Sequence, residues 1–238
     1  MNRPCFKGKP IVTNAALAKT LRVPQRHLFW LIDHASQLYQ PLPPKIKPDG
    51  SIRQVYNPAR PLKDIQRRIN RYIFGRVDFP YYLQGGIRDK KNPRHCLANA
   101  RLHSGAKIVI NEDISGFFPS ITENQIYNIW QHFFCFPPGI ADSLTKLTIY
   151  DGQLPQGAPT SSYLANLVLW KKESTVVENL NADDVRYSRY VDDITLSSTR
   201  FQNVARQISM IRKVRSMCDK NGYLIKANRA RLIAGSRT

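Results

Sequence analysis

Acid is what this 238-residue chain has little of: 17 Asp and Glu stand against 36 Lys and Arg, for a formal net charge of +19. The shortage is local. Residues 1–110 hold five carboxylates against 21 Lys and Arg, whereas residues 111–238 hold 12 against 15. That field favours a polyanionic partner and speaks to association rather than to fold. Charge alone is also satisfied by a generally basic protein of the ribosomal kind. Cysteine is scarce as well. Cys5, Cys96, Cys135 and Cys218 lie too far apart for a paired zinc pattern, and nothing suggests a secreted disulfide scaffold. His95, Cys96, His132 and Cys135 could be drawn together as a metal site, but buried cysteines usually behave as small hydrophobes. There is no internal repeat, no low-complexity stretch, no signal-peptide pattern and no apolar run near the ~18 residues of a membrane span. A cytoplasmic protein with no membrane partner is the expectation. Hydrophobic content of 42% and charged content of 22% are ordinary for a globular protein. The length suits one large domain or two intimate subdomains.

What is present is a mixture of helix and strand signals without a regular βαβ beat, so the fold class is α+β. Residues 11–40 read as helical. Asp49-Gly50 is a hairpin signal, and its arms carry Lys45, Lys47 and Arg53. In "LKDIQRRINRYIF", Leu62, Ile65, Ile69 and Ile73 recur at helical spacing, with Arg67, Arg68 and Arg71 elsewhere around the helix. "RHCLANARLHSG" is a short helix ended by Gly105. "AKIVINEDI" alternates as a strand, with Val109, Asn111 and Asp113 on one face and Ile108 and Ile110 on the other. "GQLPQGAP" is a loop, and "TSSYLANLVLWKKESTVVENL" reads as one capped helix. "DVRYSRYVDDITLSS" is a hairpin, and an amphipathic helix follows it and ends at Gly222.

Two adjacent aspartate pairs stand out. Asp183-Asp184 sits in "NLNADD", a polar stretch after a helix, and reads as a turn. Asp192-Asp193 is flanked by β-forming residues on both sides. If its strand neighbours the one that ends at Asp113, three carboxylates converge. Such an oxygen-only cluster suits Mg²⁺, which keeps several waters and is completed by substrate phosphates. Two ions about 3.5–4 Å apart would clamp both oxygens of an in-line phosphoryl displacement. Glu112 is left out, because alternation points it away from Asp113.

The order "NEDISGFFPSI", "LPQGAPTSSYLANLVL", "RYVDDITLSS" resembles the palm motifs of reverse transcriptases, and "NPARPLKDIQRRI" resembles the fingers segment of the bacterial members. The resemblance implies a right-hand polymerase with fingers and a palm whose antiparallel sheet is packed by helices. It also implies an RNA-directed DNA polymerase that adds deoxynucleotides to a primer. Asp113, Asp192 and Asp193, with the Ile114 carbonyl, would hold two Mg²⁺ ions. Phe118 would exclude a ribose 2′-hydroxyl, while Phe117 is core. Gln156 and Gly157 would touch the incoming nucleotide, where glycine permits close backbone approach. Lys47 and Arg53 would hold the triphosphate, with Lys45 as the alternative to Lys47. The partners implied are an RNA template, RNA–DNA duplex and deoxynucleoside triphosphates.

"NARLH" places Asn99 and His103 four apart, in an element similar to one that retron reverse transcriptases carry before the first catalytic strand. The retron resemblance implies copying of a cognate structured non-coding RNA and a part in antiphage defence. The alternatives are a group II intron-like or other defence-associated reverse transcriptase, or a catalytically impaired RNA-binding fragment. The domains expected are an N-terminal helical segment over 1–40, fingers over 41–105, and a palm over 106–238 with a fingers-derived insertion near 120–150. Two residues depart from the pattern: Val191 stands where alanine is commoner, and Arg229 stands where a lysine general acid is expected. The family's thumb would follow the palm, so a fragment is expected, with Leu224, Ile225, Leu232 and Ile233 left uncovered.

Overall fold

The computed structural model describes residues 2–46, 50–89 and 91–226, together with the backbone of 233–234. The chain divides into two compact units, one made of 1–4, 79–117 and 169–238 and the other of 5–78 and 118–168.

The first unit is built on a five-stranded sheet in the order Ile233–Ala234, Ile108–Asp113, Asp193–Ser198, Arg186–Tyr190, Leu83–Gln84. Neighbours are antiparallel except at one edge, where Leu83–Gln84 runs parallel to Arg186–Tyr190. Leu83–Gln84 therefore belongs to this sheet, and the Lys45–Arg53 hairpin to the other unit. Pairing of Ile110 with Leu196, and of Leu196 with Tyr187, puts three buried apolar side chains in one row. On that face pack helices Glu173–Ala182 and Val204–Asp219. The second of these buries Met210, Val214, Met217 and Cys218, at the spacing of a single helical stripe. The opposite face carries Asn111, Asp113, Asp193 and Thr195, and the Thr195 hydroxyl donates to the Asn111 side-chain oxygen at 3.1 Å. Alternation over 108–113 thus separates an apolar face from a polar one, as period two requires.

The stretch read from sequence as one long helix is two, Ser161–Leu167 and Glu173–Ala182. Lys172 leaves helical geometry at φ −124°, and the N–H groups of Lys172 and Glu173 both turn back to the Leu169 carbonyl. The restart aims Glu173 into the interior, where it is 1% exposed.

The second unit is mostly helical. Helix Arg60–Tyr72 opens with Pro61 in its first turn and buries Leu62, Ile65, Gln66 and Ile69. The Gln66 Nε2 donates to the Tyr39 hydroxyl at 2.7 Å and to the Leu147 carbonyl at 2.8 Å. An aromatic cluster of Phe6, Phe74, Trp130, Phe134 and Phe136 fills the space beside it. Strands Lys45–Ile46 and Ile52–Arg53 form the expected hairpin, with Gly50 at φ 77° in its turn. Cys96 and Cys135 are exposed and lie in different units, and neither joins a metal cluster among the described residues. Leu224 is 71% exposed, as expected, whereas Ile225 is half-buried and bridges to Ile114. The side chains of Leu232 and Ile233 lie outside the described residues. Among the described residues no helix is long and apolar enough to cross a membrane.

Candidate active site

Strand register brings the carboxylates together. Asp193 pairs directly with Asp113 across antiparallel neighbours, and Asp192 lies next to it in the turn. The turn is stitched to the first strand by the Ile114 N–H, which donates to the Asp192 carbonyl at 3.1 Å. Asp113 is 5% exposed, Asp192 half-buried and Asp193 exposed. Two like charges placed opposite each other are unfavourable without a cation. The protein supplies one: the Lys226 ammonium lies 2.6 Å from an Asp113 oxygen, and the Lys226 N–H also donates to the Asp113 carbonyl at 2.9 Å. Sequence reasoning did not single out Lys226.

The candidate donors are all oxygen, which fits a hard divalent ion. Convergence is less complete than expected. Among the described residues no three His, Cys, Asp or Glu side chains are assembled into one metal-holding cluster. Glu112 stays out of the group, as alternation required. It is buried on the other face and pairs with Arg215 at 3.0 Å. Burial pushes its carboxyl up, against the pull of the Arg215 guanidinium.

Beneath the turn lies a buried charged network that sequence reasoning also missed. Arg189 and Glu173 are 0% and 1% exposed, and they meet through two bonds, Nε to Oε1 at 2.6 Å and Nη2 to Oε2 at 2.9 Å. The Tyr187 hydroxyl donates to the same Oε1 at 2.7 Å. Burial alone would push Arg189 toward its neutral form, but the adjacent carboxylate outweighs it and holds the guanidinium charged. A signal for both was present. Val185, Tyr187 and Arg189 alternate on one strand face, and Glu173, Val177 and Leu180 share one helix stripe.

His103 caps the short helix Cys96–Leu102 and is buried against the sheet. Its Nδ1 lies 2.7 Å from the Ser197 hydroxyl and its Nε2 lies 2.7 Å from the Ser188 hydroxyl. Both nitrogens are thus used inside the unit, joining the two strands of the hairpin that carries the aspartates. Burial, with help from Arg186, pushes the ring's pKa down to about 4. Asn99 is half-buried on the same helix, with its side-chain oxygen unpaired.

In the other unit, Lys45 stands directly opposite Arg53 and both are exposed. Lys47 lies outside the described residues, as does Arg229. Phe118 is half-buried, whereas Phe117 is buried at 2% exposure. Gln156 is half-buried, and its carbonyl accepts from the Tyr56 N–H at 2.8 Å. Gly157 has φ 105°, and a Cβ there would sit 2.5 Å from the Tyr56 carbonyl oxygen. The close approach that demands glycine is therefore to the protein's own backbone, a cause not visible in the sequence.

The decoy pair is built differently. Asp183 and Asp184 are exposed in a turn, and they pair with Lys213 at 2.6 Å and Arg200 at 2.9 Å.

Comparison with known proteins agrees with this geometry. The family model described as reverse transcriptase (RNA-dependent DNA polymerase) matches residues 45–236. The chain is 32% identical over 231 residues to the retron Se72 reverse transcriptase of Salmonella heidelberg, which covers 97% of this chain and 59% of that one. It is 31% identical over 201 residues to the retron Ec86 reverse transcriptase of Escherichia coli, covering 84% of this chain and 61% of that one. With the retron Ec48 reverse transcriptase of Escherichia coli the figures are 33% over 196 residues, 79% and 48%. The chain thus spans about three-fifths of the length of the first two. With the family model matched over most of its length, and with Asp193 set against Asp113 in its sheet, the chain belongs to the reverse transcriptase family.

Proposed function

We propose that the chain carries the catalytic part of a retron-type RNA-directed DNA polymerase, with the sheet-bearing unit as its palm and the helical unit as its fingers. The observation that carries this reading is the cross-strand pairing of Asp113 with Asp193, with Asp192 in the adjoining turn. Asp113, Asp192 and Asp193, with the Ile114 carbonyl, are the ligands of two Mg²⁺ ions. When bound, such ions activate a primer hydroxyl and stabilise charge on the leaving phosphate. Lys226 neutralises Asp113 when no ion is present, and so keeps like charges from forcing the two strands apart.

The remaining roles follow from the family resemblance. Lys45 or Lys47, with Arg53, holds the triphosphate by charge-assisted hydrogen bonds. The Phe118 ring occupies the space a 2′-hydroxyl would need, and Gln156 and Gly157 shape the loop that meets the nucleotide. The template is RNA, the substrates are deoxynucleoside triphosphates, and the excess of Lys and Arg over 1–110 provides contacts to nucleic-acid phosphates. The RNA copied is a structured partner, and the product serves antiphage defence. The test is extension of a primer on an RNA template. Synthesis should require deoxynucleotides and Mg²⁺, and Phe118→Val should raise relative kcat/KM for ribonucleotides by about tenfold or more. An unchanged ratio in a variant that folds normally removes the gate. Absence of RNA-templated synthesis removes the reading itself.

A further inference from the structure

The hairpin that presents Asp192 and Asp193 turns in two residues, Val191 and Asp192. Val191 has φ 61°, and Asp192 is not among the residues with positive φ. Positive φ at the first central position alone marks a type II′ turn, where glycine is the usual occupant. A β-branched residue there is a true outlier, and such a conformation persists only when its surroundings over-determine it.

Those surroundings are specific. The Val191 N–H donates to the Gln84 carbonyl at 3.2 Å. The Val191 carbonyl accepts from Arg189 Nη1 at 2.9 Å. Arg189 is itself held by both oxygens of Glu173, and its guanidinium lies 6.0 Å from the centre of the Phe117 ring, four residues beyond Asp113. Buried ion pairs are commonly no more stable than apolar replacements, so packing alone does not account for this one. What an apolar pair could not do is donate to the Val191 carbonyl while leaning on the segment that follows Asp113.

We propose that Glu173 and Arg189 are positioning residues, a buried clamp that fixes the Val191 peptide and thereby sets Asp192 and Asp193 against Asp113. The inference rests on the reading of those aspartates as metal ligands. Arg189 supplies three donors in a fixed fork; a lysine keeps the charge but cannot hold both Glu173 oxygens and the Val191 carbonyl at once. Glycine at 191 adopts the turn without strain and so needs no clamp.

The experiment compares Arg189→Lys in two backgrounds, Val191 and Val191→Gly, in the full chain. Four quantities are read: kcat and KM for single-nucleotide addition, the Mn²⁺ dissociation constant by electron paramagnetic resonance, and Tm. With Val191 present, Arg189→Lys should lower kcat and weaken Mn²⁺ binding by about 10–100-fold, the range seen for outer partners of metal ligands. KM for the deoxynucleotide should stay within about threefold. In the Val191→Gly background the same change should cost less than about threefold in both. Equal losses in both backgrounds, or a lower Tm with unchanged Mn²⁺ affinity, would overturn the clamp. Glu173→Gln, which keeps the shape, takes the place of Arg189→Lys if the latter fails to fold. Asp192→Asn separates the two readings. If it still binds Mn²⁺ and extends primers normally, the ligand assignment has failed; if it is inactive while glycine gives no rescue, only the clamp has.

Discussion

The two aspartate pairs are the same dipeptide in the same unit, nine residues apart, and each turn contains one residue in the left-handed region. In the first pair it is Asp184 itself, at φ 58°; in the second it is Val191, at φ 61°. Aspartate tolerates that conformation, and its carboxylate can serve the turn. Valine does not tolerate it, and the cost is borne by a buried network. The exchange has a consequence. At 183–184 each carboxylate meets a surface cation, whereas at 192–193 the turn is formed by another residue and Asp193 is registered opposite Asp113. The two pairs differ in which residue forms the turn: Asp184 itself in one, the neighbouring Val191 in the other.

The largest contrast should appear in synthesis. Asp113→Asn or Asp192→Asn should lower kcat by at least about a thousandfold, since stabilisation of transition-state charge is what these groups are placed to serve. Asp184→Asn should stay within about twofold. Comparable losses at Asp184 and Asp192, measured by primer extension, would erase the distinction between the pairs.

Stability should separate the two regions next. Glu173→Leu leaves Arg189 charged and buried without its partner, a change that should cost about 3–5 kcal/mol. Arg200→Ala breaks an exposed pair and should change stability by no more than about 0.5 kcal/mol. Urea unfolding of the two variants side by side checks this.

A smaller loss than that of Glu173→Leu is expected at His103, which ties the hairpin at its far end. Its pKa is depressed to about 4 in the fold, so the unfolded chain binds the proton first as pH falls. Its contribution is therefore complete above about pH 6.5 and is lost as pH drops from there toward 4. With partial solvent screening the loss should be about 1–2 kcal/mol. His103→Asn should flatten that part of the stability profile; an unchanged slope would assign it to other groups.

Much of this was legible because it is local. Alternation over 108–113 separated Ile108 and Ile110 from Asn111 and Asp113, and the flanks of Asp192-Asp193 marked a hairpin. Helical spacing of Leu62, Ile65 and Ile69 gave their helix its buried side. What escaped depends on distant partners. Leu83–Gln84 is too short to announce a strand, and it becomes one by pairing with a segment 106 residues later. The helix break before Glu173 makes sense only once Arg189 is known to wait for that carboxylate. The glycine requirement at 157 comes from the Tyr56 carbonyl, and the cation at Asp113 comes from Lys226, 113 residues on. Glu173 and Arg189 lie 16 residues apart, each with a pattern of its own but none that pairs them, and the partners in the other cases lie far outside any local window.

The central claim is that Asp113 and Asp192-Asp193 share a metal while Asp183-Asp184 does not. Fe²⁺ substituted for Mg²⁺ and treated with ascorbate and peroxide cuts the backbone close to wherever it is bound, independently of catalysis. The account predicts cleavage near residue 113 and near residues 191–193 together, suppressed by added Mg²⁺, with no cut at 183–184. Mg²⁺-sensitive cleavage at 183–184, or cleavage on only one of the two central strands, would contradict it.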